Sequence, residues 1–560
     1  MKQYLLNNIR ISWLIFITCL LFFFAPVIHA QYADNQHFEA AKNLEIFNSL
    51  FKELTLFYVD SIDAKKSIET GINAMLSELD PYTEYYPEDK LNDIKFLSTG
   101  TYGGIGSAIL ARNGKIIISD PYEGMPAAKT GLRAGDAILS IDNESMIGKT
   151  SSYASEKLKG QPGTTLQVTY QRQGNPKPET ITITRQLIHV NTVTWYGVLQ
   201  DSIGYICLSR FDDQSAQEVQ SAFDDLAKNY QIQSLILDLR NNGGGIVESA
   251  VQIVGMFVPK GDVILTTKGK IRQWDRIFRN TQQPTDLTIP LVVLVDNSSA
   301  SASEIVAGAL QDLDRGVIIG SRTYGKGLVQ TPREVPYNGN LKLTTAKYYT
   351  PSGRCIQALD YAHRTDDGRP GIVPDSLTSV FYTVNKRPVR DGGGITPDFT
   401  VEDEKMSNIL YYLYYADMLI FDFATEWRNT HPEIATAMDF TLTDTDYEAF
   451  KTFVKNKDFK YDRHSKKVLQ TLKETMEFEG YMENASEEFT RLEEKLMPDL
   501  DLDLNKFRKE IAQYLSAEIA KRYYYQKGEL IQSLKNNKAL DKAYEVLGNY
   551  ELYKQTLSEK

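Results

Sequence analysis

Apolar positions change their spacing along this 560-residue chain, and each change predicts a different kind of structure. Residues 36–92 repeat apolar and aromatic residues at helical spacing, which predicts a helical segment. From about 95 to 187, short alternating runs separated by glycines predict a small β-rich module with one or two helices. Strand and helix patterns alternate from 188 to about 400, and helical spacing returns from 401 to the end.

These patterns predict a fold class and a set of boundaries. Apolar strands followed by glycine or serine turns and then helices are typical of an α/β core whose strands are buried on both faces. The predicted order is a targeting segment at 1–30, a helical N-terminal segment at 31–93, a β-rich module at 94–187, the α/β core at 188–400 and a helical C-terminal domain at 401–560.

The first thirty residues have the features of an export signal. Lys2 and Arg10 precede the apolar run "WLIFITCLLFFFAPVI", and the small residue Ala30 stands where a signal peptidase would cut. We therefore expect export to the periplasm or envelope. The apolar run is long and Ile28 is bulky for a cleavage site, so an uncleaved anchor in the inner membrane stays open.

Composition narrows the possible partners and cofactors. The chain carries a net charge of −11, which argues against nucleic acid, because such a partner needs a basic stripe. After residue 30 only Cys207 and Cys355 remain, with no CxxC and no Cys/His cluster. Neither a disulfide framework nor a metal is expected, and no cofactor is needed.

The stretch "DNSSASASEIVAGALQD" is the first candidate for chemistry, because four serines follow the apolar run "LTIPLVVLV". At a strand-to-helix turn the first N–H groups of the helix point outward, where they can stabilise an oxyanion beside a serine nucleophile. Ser301 and Glu304 also form the pattern S-x-x-E, a capping box that starts many helices. Taken alone, capping is the commoner explanation.

A serine nucleophile needs a base, and a lysine is the best candidate. The histidines after residue 30 stand in no recognisable motif, although a Ser/His/Asp triad stays open because its members meet in space and not in sequence. Lys326 lies between two glycines after the apolar run "GVIIG". Desolvation there would lower the pKa of its amine and let it act as a base. An exposed lysine in a turn is the alternative.

Two glycine patterns remain. Residues 320–326 fit the phosphate-loop spacing GxxxxGK, but Gly327 stands where a phosphate loop needs Ser or Thr, and the next segment is strand-like. Nucleotide binding is therefore disfavoured. The three glycines 243–245 follow a buried strand, and a glycine turn lets the backbone approach a ligand closely. This turn is a candidate second oxyanion donor or simply a tight connection.

Several motifs in one order resemble the C-terminal processing peptidases, or tail-specific proteases, which are serine proteases with a Ser/Lys pair. The resemblance spans about residues 38–398 and includes "LDPYTEYY", "GGIG", "PAAKTGLRAGDAILSIDN", "LDLRNNGGG", "SASASEIVAGALQD", "TYGKGLVQ", "YYTPSGRCIQ" and "GGGITPD". It implies a crotonase-like α/β protease core with an inserted PDZ-like domain.

The resemblance also implies roles for particular residues. Ser301 would be the nucleophile, Lys326 the base, and Gln330 a side chain that orients the lysine. The oxyanion donors would be the backbone N–H groups of Ala302 and Gly244. The family's usual proline in the "RNNPGG" turn is a glycine at position 243 here, which leaves open which glycine donates.

The implied function is cleavage of protein substrates that have flexible C-terminal tails. A tail would add as a strand near "GSAIL" while its carboxylate meets backbone amides. The expected carboxylate loop comprises Tyr102, Gly103, Gly104, Ile105 and Gly106. The alternative is a catalytically silent tail-binding scaffold. The aromatic stretches after residue 401 are packing faces of helices or a docking surface for a second subunit or an adaptor.

Overall fold

The computed structural model describes residues 37–90, 99–365, 368–402, 405–461, 464–496 and 499–558. The chain divides into two compact units, and the division falls after Tyr85. The predicted targeting segment lies outside the described residues. The first unit contains helices at 37–57 and Ala64–Ser77, as the helical spacing predicted. Within the described ranges, no helix is long and apolar enough to cross a membrane.

A six-stranded sheet, here called the core sheet, forms the centre of the second unit. Its first two strands are antiparallel and all later neighbours are parallel. Every residue of its third and fourth strands is buried, which confirms the predicted α/β core. In spatial order the strands are Val193–Leu199, Ile203–Leu208, Ser234–Asp238, Leu291–Val295, Val317–Gly320 and Phe399–Thr400.

Alternate residues of each strand supply two separate apolar layers. Leu235 and Leu237 pack on one face against three helices, whereas Ile236 between them points to the other face. A buried parallel sheet needs such a layer on both sides. The three helices are Ser215–Asn229, Val247–Gly255 and Ala302–Asp312.

The second face of the core sheet is covered by the end of the chain. Helices Lys538–Gly548 and Tyr550–Leu557 bury Leu540, Val546 and Tyr553 against it. The Tyr553 hydroxyl also accepts the Leu291 N–H at 3.0 Å. The boundary predicted at residue 400 stays a prediction, but the segments on its two sides share one hydrophobic core.

The β-rich module spans residues 99–189. A short ladder pairs Thr101–Gly104 with Gln186–His189. The module's own core lies between its main sheet and helix Ser151–Leu158, with a one-turn helix at Pro126–Lys129. The sheet strands are Ser107–Arg112, Lys115–Pro121, Ala137–Ile141, Glu144–Ser145, Thr165–Gln171 and Glu179–Thr184.

A third sheet carries the region that follows Lys326. Strands Leu328–Val335 and Gly339–Tyr349 form a long hairpin, which continues into Val263–Gly269 and Arg276–Arg279. Other short elements are strands Glu84–Tyr86, Leu359–Arg364, Pro370–Ile372, Val380–Tyr382 and Pro388–Arg390, and single-turn helices Glu88–Lys90, Arg272–Trp274 and Asp375–Leu377.

The helical tail, residues 405–558, has an aromatic core of its own. Leu413, Phe423, Trp427, Phe450 and Leu515 are buried together, so these aromatic stretches are packing faces. Before the two helices on the core sheet, the tail contains Asn408–Tyr411, the π-helical turn Tyr412–Ala416, Leu419–Thr430, Asp444–Asn456, His464–Glu479, Met482–Asn484, Ser486–Leu496, Leu500–Lys506 and Arg508–Ser533.

Leu540→Ala tests whether the last helices stabilise the core. Leu540 is 1 % exposed, so the truncation leaves a cavity against the sheet and should lower the free energy of unfolding by about 2–5 kcal/mol. The measurement is urea denaturation followed by circular dichroism. Leu502→Ala is the matched control, because Leu502 is 61 % exposed and its loss should matter by less than about 0.5 kcal/mol. Equal losses in both variants would contradict this packing.

Candidate active site

Ser301 lies at the turn between strand Leu291–Val295 and helix Ala302–Asp312, and its backbone is strained. Its φ is 56° and its ψ is −111°. The helix-capping residues Asp63, Thr150 and Thr443 elsewhere in the chain are extended, with φ between −75° and −81°. A residue with a side chain at such a positive φ costs about 1–3 kcal/mol and is found mainly at functional sites. Capping alone therefore does not account for Ser301.

The carboxylate of Glu304 connects Ser301 to the segment that contains Lys326. Its Oε2 accepts the N–H of Ser301 at 2.8 Å and the N–H of Lys326 at 2.9 Å. Its Oε1 accepts the Thr323 hydroxyl at 2.6 Å and the Gly325 N–H at 2.7 Å. Glu304 is fully buried, and the backbones of the predicted nucleophile and the predicted base meet at one of its oxygens.

The lysine loop, residues 321–327, needs glycine on both sides of Lys326. A Cβ at Gly325 would lie 2.5 Å from the Ala358 Cβ, and Gly325 also has a φ of 86°. A Cβ at Gly327 would lie 3.0 Å from the backbone nitrogen of Gln357. The two glycines let the loop lie against the segment 357–358, and Lys326 itself is half-buried. A strand and not a helix follows, which removes the phosphate-loop alternative.

Two side chains that the sequence did not single out hold the same loop. The buried Tyr348 donates its hydroxyl to the Ser301 carbonyl at 3.2 Å, and its N–H donates to the Gly327 carbonyl at 2.9 Å. The Gln357 side chain accepts the Gly327 N–H at 2.7 Å. Both residues lie at the ends of the motif "YYTPSGRCIQ", but the motif alone assigns them no role, and only the fold reveals which loops they contact.

The glycine turn, residues 241–246, lies directly against Ser301. A Cβ at Gly244 would be 2.6 Å from the Ala300 carbonyl oxygen and 2.8 Å from the Ser301 Cβ. The Gly244 N–H, however, donates to the Asn242 side chain at 2.9 Å. Gly244 is thus close to the nucleophile, but its role as an oxyanion donor stays a prediction. Ala302 begins the helix, so its N–H has no partner within the helix.

The other three serines of the cluster have structural contacts. Ser298 is an exposed turn residue, whereas Ser299 is fully buried and donates to the Leu239 carbonyl at 2.8 Å. Ser303 lies in the first helical turn and donates to the Asn242 carbonyl at 2.8 Å. The Ser303 bond joins the serine turn to the glycine turn, and Ser301 is the strained member of the cluster.

Gln330 lies on the strand that follows the lysine loop, at a bulge between Val329 and Gln330. Its side-chain amide donates to the Thr344 hydroxyl at 3.1 Å. The carbonyl oxygen of the same amide is the atom that could accept from a lysine ammonium. The orienting role of Gln330 stays a prediction.

The five residues of the expected carboxylate loop divide between a strand and a turn, and their role in tail binding stays a prediction. Tyr102, Gly103 and Gly104 belong to a strand, and the Gly103 carbonyl accepts the Gly160 N–H at 3.0 Å. Only Ile105 and Gly106 form the turn into strand Ser107–Arg112. That strand lies at the edge of its sheet, where a peptide can add.

Three histidines make contacts with residues other than Ser301. His189 pairs with Glu218 and His363 with Asp360, each at 2.8 Å, while His431 stacks on Trp427. None of these contacts supports a Ser/His/Asp triad. Over the described ranges, no three or more His, Cys, Asp or Glu side chains are grouped as metal ligands.

Known proteins resemble the chain in the same regions. The sequence matches the profile of peptidase family S41 over residues 202–378, a PDZ domain over 103–184, and the C-terminal helical domain of probable PDZ-proteases over 409–547. A carboxy-terminal-processing protease of Bartonella bacilliformis is 36 % identical over 366 residues, covering 64 % of this chain and 80 % of that protein. The chain belongs to the carboxy-terminal processing protease family.

Two further proteins are similar to parts of the chain. The carboxy-terminal processing protease CtpB of Bacillus subtilis is 33 % identical over 335 residues, covering 59 % of this chain and 68 % of that protein. A photosystem II D1 C-terminal processing protease of known structure is 29 % identical, with a TM-score of 0.35, and covers 62 % of this chain and 85 % of that one. The chain is therefore a serine-type peptidase with a PDZ domain, and the predicted family and fold class are confirmed.

The protonation of Glu304 matters for the protease because four donors converge on its carboxylate. Burial raises the pKa of Glu304 to about 7, although the hydrogen bonds from Thr323, Lys326, Ser301 and Gly325 lower it. The ionised carboxylate has four acceptor positions, one for each donor, whereas protonation turns one of them into a donor. We therefore expect the hydrogen bonds at Glu304 to depend on pH near neutrality.

We predict a pH-dependent difference in stability between the wild type and Glu304→Gln. Because the pKa of Glu304 is about 7 when folded and 4.5 in water, the folded protein binds the proton more tightly between these values. The difference in free energy of unfolding, wild type minus variant, should therefore fall by about 3 kcal/mol as the pH rises from 4.5 to 7. Above pH 7 this difference should stay constant.

The measurement is urea denaturation of both proteins across this pH range. Other groups titrate alike in the two proteins and cancel in the difference. Parallel stability profiles would show that Glu304 does not titrate in this way.

Proposed function

We propose that this protease is an exported endopeptidase that binds flexible C-terminal tails of protein substrates through its PDZ domain and cleaves them with Ser301 and Lys326. The shared Glu304 oxygen carries the catalytic part of the proposal, since the backbone nitrogens of Ser301 and Lys326 lie within 2.9 Å of it. The two nitrogens are thus separated by no more than the sum of two hydrogen-bond lengths. The strained backbone of Ser301 supports a nucleophile at this position.

The proposed reaction passes through an acyl-enzyme. The uncharged Lys326 amine takes the proton from the Ser301 hydroxyl as its Oγ attacks the carbonyl carbon of the substrate. The resulting ammonium gives this proton to the leaving amine when the peptide bond breaks. Lys326 then takes a proton from water, the hydroxide attacks the ester, and the proton returns to the Ser301 Oγ. Lys326 returns each proton that it takes, and the proposed reaction uses no cofactor.

The oxyanion of each tetrahedral intermediate is proposed to meet the Ala302 N–H. This N–H follows Ser301 directly and lies at the positive end of an 11-residue helix. A backbone donor fixed before the reaction stabilises developing charge without reorganisation, and one such donor contributes about 2.7–4 kcal/mol in known enzymes. Gly244 can serve as the second donor only if its N–H leaves the Asn242 side chain.

Ser301→Ala and Lys326→Ala should each reduce kcat/KM for an unfolded protein substrate by about a thousandfold or more, because each removes a reacting group. The measurement is cleavage of a dye-labelled unfolded protein at pH 8. Ser298→Ala and Lys260→Ala are the controls, since both wild-type side chains are exposed and each control repeats one of the substitutions.

Undiminished cleavage by either active-site variant would contradict the assigned pair. If the wild type binds tails and cuts none of them, the protein is instead the silent tail-binding scaffold.

Tail recognition is proposed to use the turn at Ile105 and Gly106 together with the edge strand that follows. A Cβ at Gly106 would lie 2.4 Å from the Met125 Cβ, so any side chain at this position displaces the turn. The Ile105 carbonyl accepts the Ala127 N–H at 2.8 Å, which fixes the turn on the small helix beside it. A turn held in this way presents its amides in one orientation.

Gly106→Ala should weaken binding of a tail peptide at least about tenfold, and amidation of the peptide C-terminus should do the same to the parent protein, because both disturb carboxylate capture. The measurement is fluorescence anisotropy with Ser301→Ala as the parent, so that the peptide is not cut.

Gly114→Ala is the matched control. Gly114 has the same left-handed φ, 70° against 72°, but no atom lies within 4 Å of its added Cβ. Equal affinity for free and amidated peptides would contradict tail capture.

Export and assembly are the remaining parts of the proposal. Export depends on the signal features of residues 1–30. Homo-oligomer formation or adaptor docking through the helical tail finds support in the apolar side chains of Val468, Leu472 and Phe478, which its helix His464–Glu479 exposes. Both stay predictions.

A further inference from the structure

The PDZ domain contacts the helical tail through charged and polar side chains. Arg112 binds both Asp422 oxygens, at 2.7 and 2.9 Å, and Lys527 binds Glu123 at 2.8 Å. At Gly135 the approach is so close that a Cβ would lie 2.4 Å from the Thr425 side chain. These contacts hold the PDZ domain and the helical tail next to each other.

A cavity of about 310 Å³ lies between the PDZ domain and the helical tail, and its walls are basic. The PDZ side contributes Arg133 and Arg172, and the tail contributes Arg428, Lys521 and Arg522. Asp120 and Asp136 are the carboxylates that line it. Five cationic groups against two acids contrast with the net charge of −11 for the whole chain.

Nearby carboxylates account for three of the five cations. Arg172 binds Asp136 at 2.7 Å. Lys521 binds Glu529 at 2.7 Å and lies 3.8 Å from Asp120, and Arg522 binds Glu518 at 2.7 Å. In each of these pairs the carboxylate neutralises the cation. The two remaining cations of the cavity are Arg133 and Arg428.

Arg133 and Arg428 form no ion pair with any residue that the structure describes. Arg428 donates to the carbonyls of His431 and Pro432 and lies 4.2 Å from the Tyr523 ring, so its contacts are with uncharged groups. Arg133 is exposed to solvent but partly desolvated, which lowers its pKa; the neighbouring charges of Arg172 and Arg428 lower it further, and Asp136 opposes them. Like charges held close together repel one another, and a bound anion would reduce that repulsion.

The backbone at this cavity is also strained. Tyr525 interrupts helix Arg508–Ser533 with a φ of 56° and a ψ of −153°, and its side chain lines the cavity. The break is followed by Gln526, which donates to Asp120 at 2.9 Å. A non-glycine residue in this conformation costs about 1–3 kcal/mol and is retained mainly where it shapes a site.

From this geometry we infer that the cavity is a binding site for a small free oxyanion with two or more phosphate or carboxylate groups, held between Arg133 on the PDZ domain and Arg428 on the helical tail. Guanidinium groups bind both kinds of oxyanion with paired hydrogen bonds. The volume is near the lower limit for ligand pockets, which suits a small molecule. Because the cations come from both walls, a multivalent ligand would join the PDZ domain to the tail.

The test is binding of pyrophosphate and of citrate to the full chain at constant ionic strength, by isothermal calorimetry and by thermal melting, with chloride as the reference anion. At least one of the two should bind saturably and raise the melting temperature. Binding of pyrophosphate alone identifies phosphate groups as the ligand chemistry, citrate alone identifies carboxylates, and binding of both identifies a general oxyanion site.

Arg133→Gln should weaken this binding at least about tenfold, while the melting temperature without anion stays equal or rises because a like charge is gone. Arg133 is exposed at the rim, so the variant should fold. Arg276→Gln is the control, since Arg276 is an exposed arginine on a strand of the protease core. The inference is overturned if neither anion binds saturably, if Arg133→Gln binds as well as the wild type, or if Arg276→Gln weakens binding equally.

Discussion

The geometry of the active site depends on one buried carboxylate. Glu304 accepts hydrogen bonds from Ser301, Thr323, Gly325 and Lys326, and so joins the start of a helix to a loop that follows a different strand. Burying a charged group is unfavourable unless its hydrogen bonds are made, and here all four acceptor positions are used. The same four bonds that make burial tolerable determine where the predicted nucleophile and base lie.

Close backbone packing also determines where the glycine turn and the lysine loop lie. The glycine turn reaches Ser301, and the lysine loop reaches the segment at 357–358, at distances that leave no room for a Cβ at Gly244 or Gly325. Tyr348 then bonds to both loops, through its hydroxyl to Ser301 and through its N–H to Gly327. Loops that are packed and hydrogen-bonded in this way cannot separate without exposing buried polar groups, and Ser301 keeps its strained conformation because its surroundings permit no other.

The sequence predicted the core, and it suggested catalytic candidates that stay predictions, because the signals for both are local. Buried strands are apolar runs, and the serine and lysine motifs each occupy a few consecutive residues. Glu304 could be recognised only as a helix cap, since three of its four donors lie 19 to 22 residues further along the chain. Tyr348 and Gln357 lie in the motif "YYTPSGRCIQ", but that motif does not indicate which loops they contact. Glycines that suggest a turn also occur where a strand packs closely, as Gly103 does against Gly160, so the glycines of residues 102–106 did not reveal where the strand ends.

For the helical tail, too, the sequence predicted the helices but not the surfaces that they contact. Helical spacing predicts that a helix has an apolar face but not which surface covers that face. Here one continuous tail covers the core sheet through Leu540 and Tyr553 and binds the PDZ domain through Asp422 and Lys527. Any movement of the PDZ domain relative to the protease core must therefore break contacts with the tail. The polar bonds on the PDZ side exchange readily with water, whereas the apolar layer on the core sheet does not, so the PDZ side is where the two regions can separate.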